Sequence, residues 1–184
     1  YVSASQGNDT LIGIENVLGS AYADTFKGNN AVSNIFNGGT SNLDAALNST
    51  TGEYTNDEND TVNYSSSTSS IVVNLNANNV VIGGTVTDYL YNIEHVIGTA
   101  QDDTFTGNSD NNSLVGGAGN DTFYIIDVNN GNDVIEGDTS AGNVGLRDTI
   151  DYSAISNTYY LDADLSSNTL VIKQTSDGTS VDSD

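Results

Sequence analysis

The chain predicts an all-β fold, a right-handed parallel β-solenoid with loop excursions, and three observations predict it. Residues 98–124 divide without a gap into three nonapeptides, GTAQDDTFT, GNSDNNSLV and GGAGNDTFY. A longer repeat runs through the chain, with Asp9–Gly19 matching Asp88–Gly98 at an offset of 79. A third match pairs Asp60-Thr61-Val62-Asn63-Tyr64-Ser65 with Asp148-Thr149-Ile150-Asp151-Tyr152-Ser153 at an offset of 88, each followed by an apolar, strand-like run. Periods of this kind are the signature of stacked supersecondary units.

In the nonapeptides, glycine recurs at Gly98, Gly107 and Gly116, a carboxylate or amide at Asp103, Asn112 and Asp121, and a large apolar residue at Phe105, Leu114 and Phe123. The third unit, Gly116-Gly117-Ala118-Gly119-Asn120-Asp121-Thr122-Phe123-Tyr124, fills the pattern G-G-x-G-x-D-x-U-x. With that unit the sequence resembles the RTX family, the haemolysin-type calcium-binding repeats. The resemblance implies a β-roll in which each unit is half of one turn. Glycines there take positive φ and leave carbonyls inward, while the sixth residue adds a side-chain oxygen. Hard oxygen donors of this sort suit calcium.

Two such units complete a turn, so the bend at 98–103 stacks on the bend at 116–121. The ligands that the resemblance implies for the best calcium site are Gly98, Ala100, Asp103, Gly117, Gly119 and Asp121, with the roles of the two bends open to exchange. Ordinary turn chemistry is the competing reading of isolated Gly, Asn and Asp. Three units in phase favour calcium.

Taken in order, the first copy runs Asp9–Gly19, continues through Asp24-Thr25-Phe26 as the counterpart of Asp103-Thr104-Phe105, and reaches Asn34-Ile35-Phe36-Asn37-Gly38-Gly39 after one extra residue. Its third unit then reads GGTSNLDAA, with Leu43 at the ligand position and Asp44 one place late. A weaker calcium site between Asp24 and Asp44 therefore needs a rearranged loop. Residues 40–59 are rich in Asn, Ser, Thr and Gly and read as an excursion, as does the stretch between Gly137 and Gly145. Strands are expected at Ile71–Leu75, Val80–Ile82, Tyr159–Leu165 and Leu170–Ile172. In the second copy Asp133 follows Asp121 by twelve residues, a stretched unit. Asp127 and Asp133, with Asn112 below them, form the candidate for another weaker site, and a solvated turn is the alternative. The two copies divide the chain into a first solenoid unit, 1–87, and a second, 88–184, within one elongated domain.

Composition sets limits. Twenty-five acidic side chains stand against three basic ones, Lys27, Arg147 and Lys173, for a formal charge of -22 on 184 residues. Such a field excludes nucleic acid and anionic membranes as partners and opposes a compact calcium-free state. An apolar fraction of 36% argues against permanent disorder, so folding conditional on a cation is expected. With no cysteine there are no disulfides and no cysteine-bound zinc. No apolar run reaches the roughly 18 residues of a membrane span.

Catalysis is not expected. His95 has no Cys or His partner and reads as a packed or surface residue. Asp102-Asp103 is the strongest paired carboxylate, but the repeat already claims Asp103. No nucleophile elbow, zinc-protease motif or phosphate loop is present. Asn-Asp-Thr at Asn8, Asn59 and Asn120 is a bend of the repeat rather than a glycosylation site. Thr25, Thr104 and Thr122 form no flat binding ladder, since Ile35 and Ser113 interrupt it. The tyrosines are expected to cover strand edges or fill the core.

The function that follows is a calcium-binding structural module or self-assembling subunit of a secreted bacterial surface or extracellular protein, with Ca2+ as its cofactor. The resemblance implies type I secretion and a setting such as an adhesin, a surface layer, a filament or a toxin. A carbohydrate- or surface-binding adhesin module and the calcium-binding tail of a secreted enzyme are the alternatives. Neither end of the chain resembles a capping unit, so end-to-end association or neighbouring repeats of a longer chain are expected.

Overall fold

The computed structural model describes residues 12–20, 22–28, 31–39, 59–126, 133–138, 147–155, 159–164 and 169–174. Among them every regular element is a strand apart from one 3-10 turn, Leu75–Ala77. The strands are β1 (Asn16–Leu18), β2 (Thr25–Phe26), β3 (Ile35–Asn37), β4 (Thr61–Asn63), β5 (Ile71–Asn74), β6 (Asn79–Ile82), β7 (Val86–Tyr91) and β8 (His95–Ile97). They continue with β9 (Thr104–Thr106), β10 (Ser113–Gly117), β11 (Thr122–Tyr124), β12 (Val134–Asp138), β13 (Thr149–Asp151), β14 (Tyr159–Asp164) and β15 (Thr169–Gln174).

Eight strands form one sheet in the order β1-β3-β7-β6-β5-β9-β11-β13, five form a second in the order β12-β10-β8-β4-β2, and β14 pairs with β15. From β1 to β4, and again from β7 to β13, successive strands alternate between the two larger sheets. Most neighbours are parallel, and β9 to β11 shows the reason for the eighteen-residue period: Thr104 lies opposite Thr122, Phe105 opposite Phe123 and Thr106 opposite Tyr124. Units two apart in sequence thus lie side by side in one sheet.

Strand pleating puts alternate residues on opposite faces, so the apolar members of the Asp-Thr-apolar triplets at Asp24, Asp60, Asp103 and Asp121 turn inward. In the five-stranded sheet Phe26, Val62, Val96, Leu114 and Ile135 stand in one register row. Across from them Val73, Phe105, Phe123 and Ile150 form a row of the other sheet. Phe105 stacks on Phe123 with ring centroids 4.9 Å apart, and Phe26 meets Phe36 of the opposite sheet at 5.5 Å. Each such side chain contributes about 1.5–3 kcal/mol by leaving water. Phe26, Phe36, Phe105 and Phe123, which come from both sequence copies, belong to one continuous core.

The parallel arrangement is interrupted at residues 71–91. There β5, β6 and β7 form an antiparallel meander set between β3 and β9. Two tight turns cause it. Asn74 caps the Leu75–Ala77 turn through its side chain, and Asn78 follows in the left-handed region at φ 54°. Gly83 and Gly84 then both take positive φ, 56° and 72°, with the Thr85 N–H donating to Ile82 O. Paired positive φ values make the hairpin turn that matches strand twist. Later in the chain β14 and β15 are also antiparallel, where the sequence match to β5 and β6 places them.

The 79-residue match has a topological consequence. β1, β2 and β3 lie in the larger, smaller and larger sheet, whereas their counterparts β8, β9 and β10 lie in the smaller, larger and smaller. Equivalent bends of the two copies therefore fall on opposite edges of the sheet pair.

Candidate metal centre

Four bends begin with a glycine because the carboxyl or amide oxygen five residues later lies against it. A Cβ on Gly98 would meet Asp103 Oδ2, one on Gly107 would meet Asn112 Oδ1, and one on Gly116 would collide with Asp121 Oδ2. Gly19 stands in the same relation to Asp24. The repeat spacing is thus a steric requirement of the folded-back side chain.

The acidic side chains also link one turn to the next. On the edge where the chain passes from the smaller to the larger sheet, Asp103 Oδ1 accepts from Ile71 N (2.8 Å), Asp121 Oδ1 from Asp103 N (2.8 Å) and Asp148 Oδ1 from Asp121 N (2.9 Å). The opposite edge repeats the device. There Asp60 Oδ1 accepts from Asp24 N (2.7 Å), Glu94 Oε2 from Asp60 N (3.0 Å) and Asp133 Oδ1 from Asn112 N (3.0 Å). Hydrogen bonds to ionised acceptors are about twice as strong as neutral ones, and this ladder supports the stack at both edges.

The second carboxyl oxygen separates two kinds of bend. In two of them a backbone N–H just after the glycine caps it, Ser20 N to Asp24 Oδ2 (2.5 Å) and Thr99 N to Asp103 Oδ2 (2.6 Å), and in a third Asn108 N donates in the same way to the amide oxygen Asn112 Oδ1 (2.9 Å). In the Gly116-Gly117 bend no such bond forms. Gly117 sits at φ 112° against Thr99 O, and Asp121 Oδ2, fully buried, has no hydrogen-bond partner. Only a residue without a Cβ adopts that backbone readily. A buried carboxylate oxygen without a donor costs several kcal/mol unless a proton or cation reaches it.

The electrostatics agree. Burial first, then the neighbouring Asp103, Asp148 and Asp102 carboxylates, push Asp121 up to about 7 despite the bond from Asp103 N. Burial likewise raises Asp60, Glu94, Asp103 and Asp133. His95 is lowered by burial, and its Nε2 lies 3.1 Å from Asn59 Oδ1.

The structure brings the six residues of the expected best site into two stacked bends. Gly117 lies on Thr99, Gly119 on the Gln101 backbone, and Asn120 donates to Asp102 Oδ1 from its backbone and its side chain at 2.8 and 3.2 Å. The two carboxylates differ in what they have left to offer. Asp103 already accepts from Thr99 N, Thr99 Oγ1 and Ile71 N, and the Ala100 carbonyl accepts from Gln101 Nε2. Asp121 holds the unpartnered oxygen. Among the described residues no three Asp, Glu or His side chains converge on one point, so a cation here would need backbone oxygens for most of its ligands.

Of the weaker candidates, Asp44 and Asp127 lie outside the described residues. Asp24 has its carboxylate capped and stacks on Asp60. Asn112 and Asp133 are adjacent, but the Asn112 Nδ2 is buried without a partner. A donor there does not suit a cation. Asp60, Asp88, Glu94 and Asp148 also bridge turns and were absent from the expected ligand set. The Asp-Thr-apolar triplets at Asp60 and Asp148 were their visible signal, obscured because no glycine stands five residues before either.

The family model describing the RTX calcium-binding nonapeptide repeat matches residues 92–124, in four copies. A search of curated proteins finds no match to the chain. The matched stretch holds the Gly98 and Gly116 bends and the unpartnered Asp121 oxygen. Residues 92–124 are a run of RTX calcium-binding nonapeptide repeats, and repeats of this kind bind Ca2+.

Proposed function

We propose that this chain is a calcium-dependent structural module of a secreted bacterial surface or extracellular protein, a right-handed parallel β-solenoid of the RTX β-roll type that becomes a rigid rod once calcium is present outside the cell. The buried, unpartnered Asp121 Oδ2 carries the reading. Gly98, Ala100, Asp103, Gly117, Gly119 and Asp121 would hold the ion, with Asp121 as the principal source of charge. Calcium supplies the positive charge that the chain's own donors leave out, and its binding free energy adds to that of folding. Alternation of strands between two mostly parallel sheets supports the solenoid.

A formal charge of -22 supports the switch, because a calcium-poor interior keeps such a chain expanded and suited to export by a type I system. The role is mechanical rather than catalytic. Far-UV circular dichroism of the chain in EGTA, in magnesium and in about millimolar calcium, the range of extracellular calcium modules, tests the reading. A β-sheet spectrum that appears with calcium and not with magnesium is expected. The same β-sheet spectrum in EGTA overturns calcium-dependent folding.

A further inference from the structure

The bend that joins β3 to β4 repeats the features of the Gly116–Asp121 bend although its sequence is broken by an insertion. Gly38-Gly39 corresponds to Gly116-Gly117 and Asn59-Asp60-Thr61 to Asn120-Asp121-Thr122, with residues 40–58 standing where Ala118-Gly119 stand in the intact unit. The structure makes the equivalence physical. Gly39 takes φ 119° against Ser20 O, as Gly117 takes φ 112° against Thr99 O. Gly38 lies on Asp60 Oδ2 as Gly116 lies on Asp121 Oδ2. Asp24 N donates to Asp60 Oδ1 at 2.7 Å, as Asp103 N donates to Asp121 Oδ1 at 2.8 Å.

The decisive feature is also shared. Asp60 is 0% exposed, and its Oδ2 is buried with no hydrogen-bond partner. Asp60 and Asp121 are the carboxylates with such an oxygen among the described residues, and both follow a Gly-Gly bend. Where the second residue is Ser20, Thr99 or Asn108, its N–H caps the side-chain oxygen that faces the bend. The Gly-Gly pair thus distinguishes a bend that offers a carboxylate oxygen from one that satisfies itself.

We infer that Asp60 is the acidic ligand of a second calcium site, assembled from a split nonapeptide whose Gly38-Gly39 half and Asp60 half are brought together across residues 40–58, over the Gly19–Asp24 bend. The inference rests on the calcium reading of the Asp121 bend. It replaces the expected pairing of Asp24 with Asp44 by one of Asp24 with Asp60, and places the site on the opposite edge of the sheet pair from Asp121, because β3 to β4 crosses from the larger to the smaller sheet while β10 to β11 crosses back.

The test is equilibrium dialysis of the full chain against calcium, comparing wild type with Asp60→Asn, Asp121→Asn and the double variant, with circular dichroism at saturating calcium as the check on folding. Asparagine already occupies the equivalent place at Asn112 and still accepts the bend N–H, so the substitution suits the turn. Loss of one bound ion per chain in Asp60→Asn, one in Asp121→Asn and two in the double variant is expected. A folded Asp60→Asn chain that keeps the wild-type count while Asp121→Asn loses an ion overturns the split site and leaves the Asp121 site standing. An unchanged count in both variants overturns the underlying calcium reading as well. If Asp60→Asn fails to fold, the wild-type chain folded in calcium and then exchanged with a paramagnetic lanthanide decides the matter: broadening of the Gly39 and Asp60 amide resonances supports the site, and sharp resonances there beside a broadened Gly117 overturn it.

Discussion

At the scale of single residues, the account turns on one oxygen atom. Asp121 differs from Asp103 not in position within its unit but in the residue after the leading glycine, since Thr99 N caps Asp103 whereas Gly117 leaves Asp121 Oδ2 open. Replacing Asp121 with Asn removes the charge and keeps the shape, and should weaken calcium binding by about tenfold or more, since ligand charge sets the affinity of such sites; calorimetric titration measures it. Protons compete for the same oxygen. Burial holds Asp121 up at about 7, and raises Asp60, Glu94, Asp103 and Asp133. A carboxyl group whose pKa is higher folded than unfolded stabilises the fold fully below its unfolded value, near 4, and that contribution is lost as pH rises through the folded value. His95, lowered by burial, acts in the opposite sense but is outnumbered. Without calcium, therefore, the chain should gain β-structure between pH 8 and pH 5, read by circular dichroism in EGTA. A loss of structure over that interval contradicts the assignment.

At the scale of elements, the bends and the short strands impose different demands. Gly117 and Gly84 both hold positive φ, but a Cβ on Gly117 would strike Thr99 O while one on Gly84 meets open space. Gly84→Ala should cost about 1–2 kcal/mol from backbone strain alone, and Gly117→Ala more, roughly 3 kcal/mol or above, since the stacked bends must also separate. Urea midpoints in calcium rank the two. In the strands, Phe105→Ala empties the stack between β9 and β11 and should cost about 3–5 kcal/mol, measured the same way. The nonapeptides made β9, β10 and β11 legible, because glycine, carboxyl group and apolar residue each have one place they fit. The antiparallel meander was less so. Residues 71–91 carry strand-forming residues whose direction is set by Asn78 and by Gly83-Gly84, a turn signal outside the nonapeptide frame. Asp60 escaped for a related reason, as its glycine partner lies on the far side of an insertion and only folding restores the spacing.

At the scale of the whole molecule, two sheets share one core and the acidic groups line both edges. The sequence repeat of 79 was plain, but its meaning for the fold was not. An odd number of crossings separates the copies, so each bend of the first reappears on the other edge in the second. Charge then acts on the stack as a unit. Turn-to-turn carboxylate bonds draw the strands together while the net charge of -22 pushes the chain apart, and in the proposed switch calcium would shift the balance by neutralising the carboxylates that no donor reaches. Sedimentation velocity tests this most directly, with the chain in EGTA at neutral pH and again in about millimolar calcium. A slow, expanded species in EGTA that becomes a compact particle with calcium is the predicted result. An equally compact particle in EGTA would contradict calcium as the switch that folds the chain.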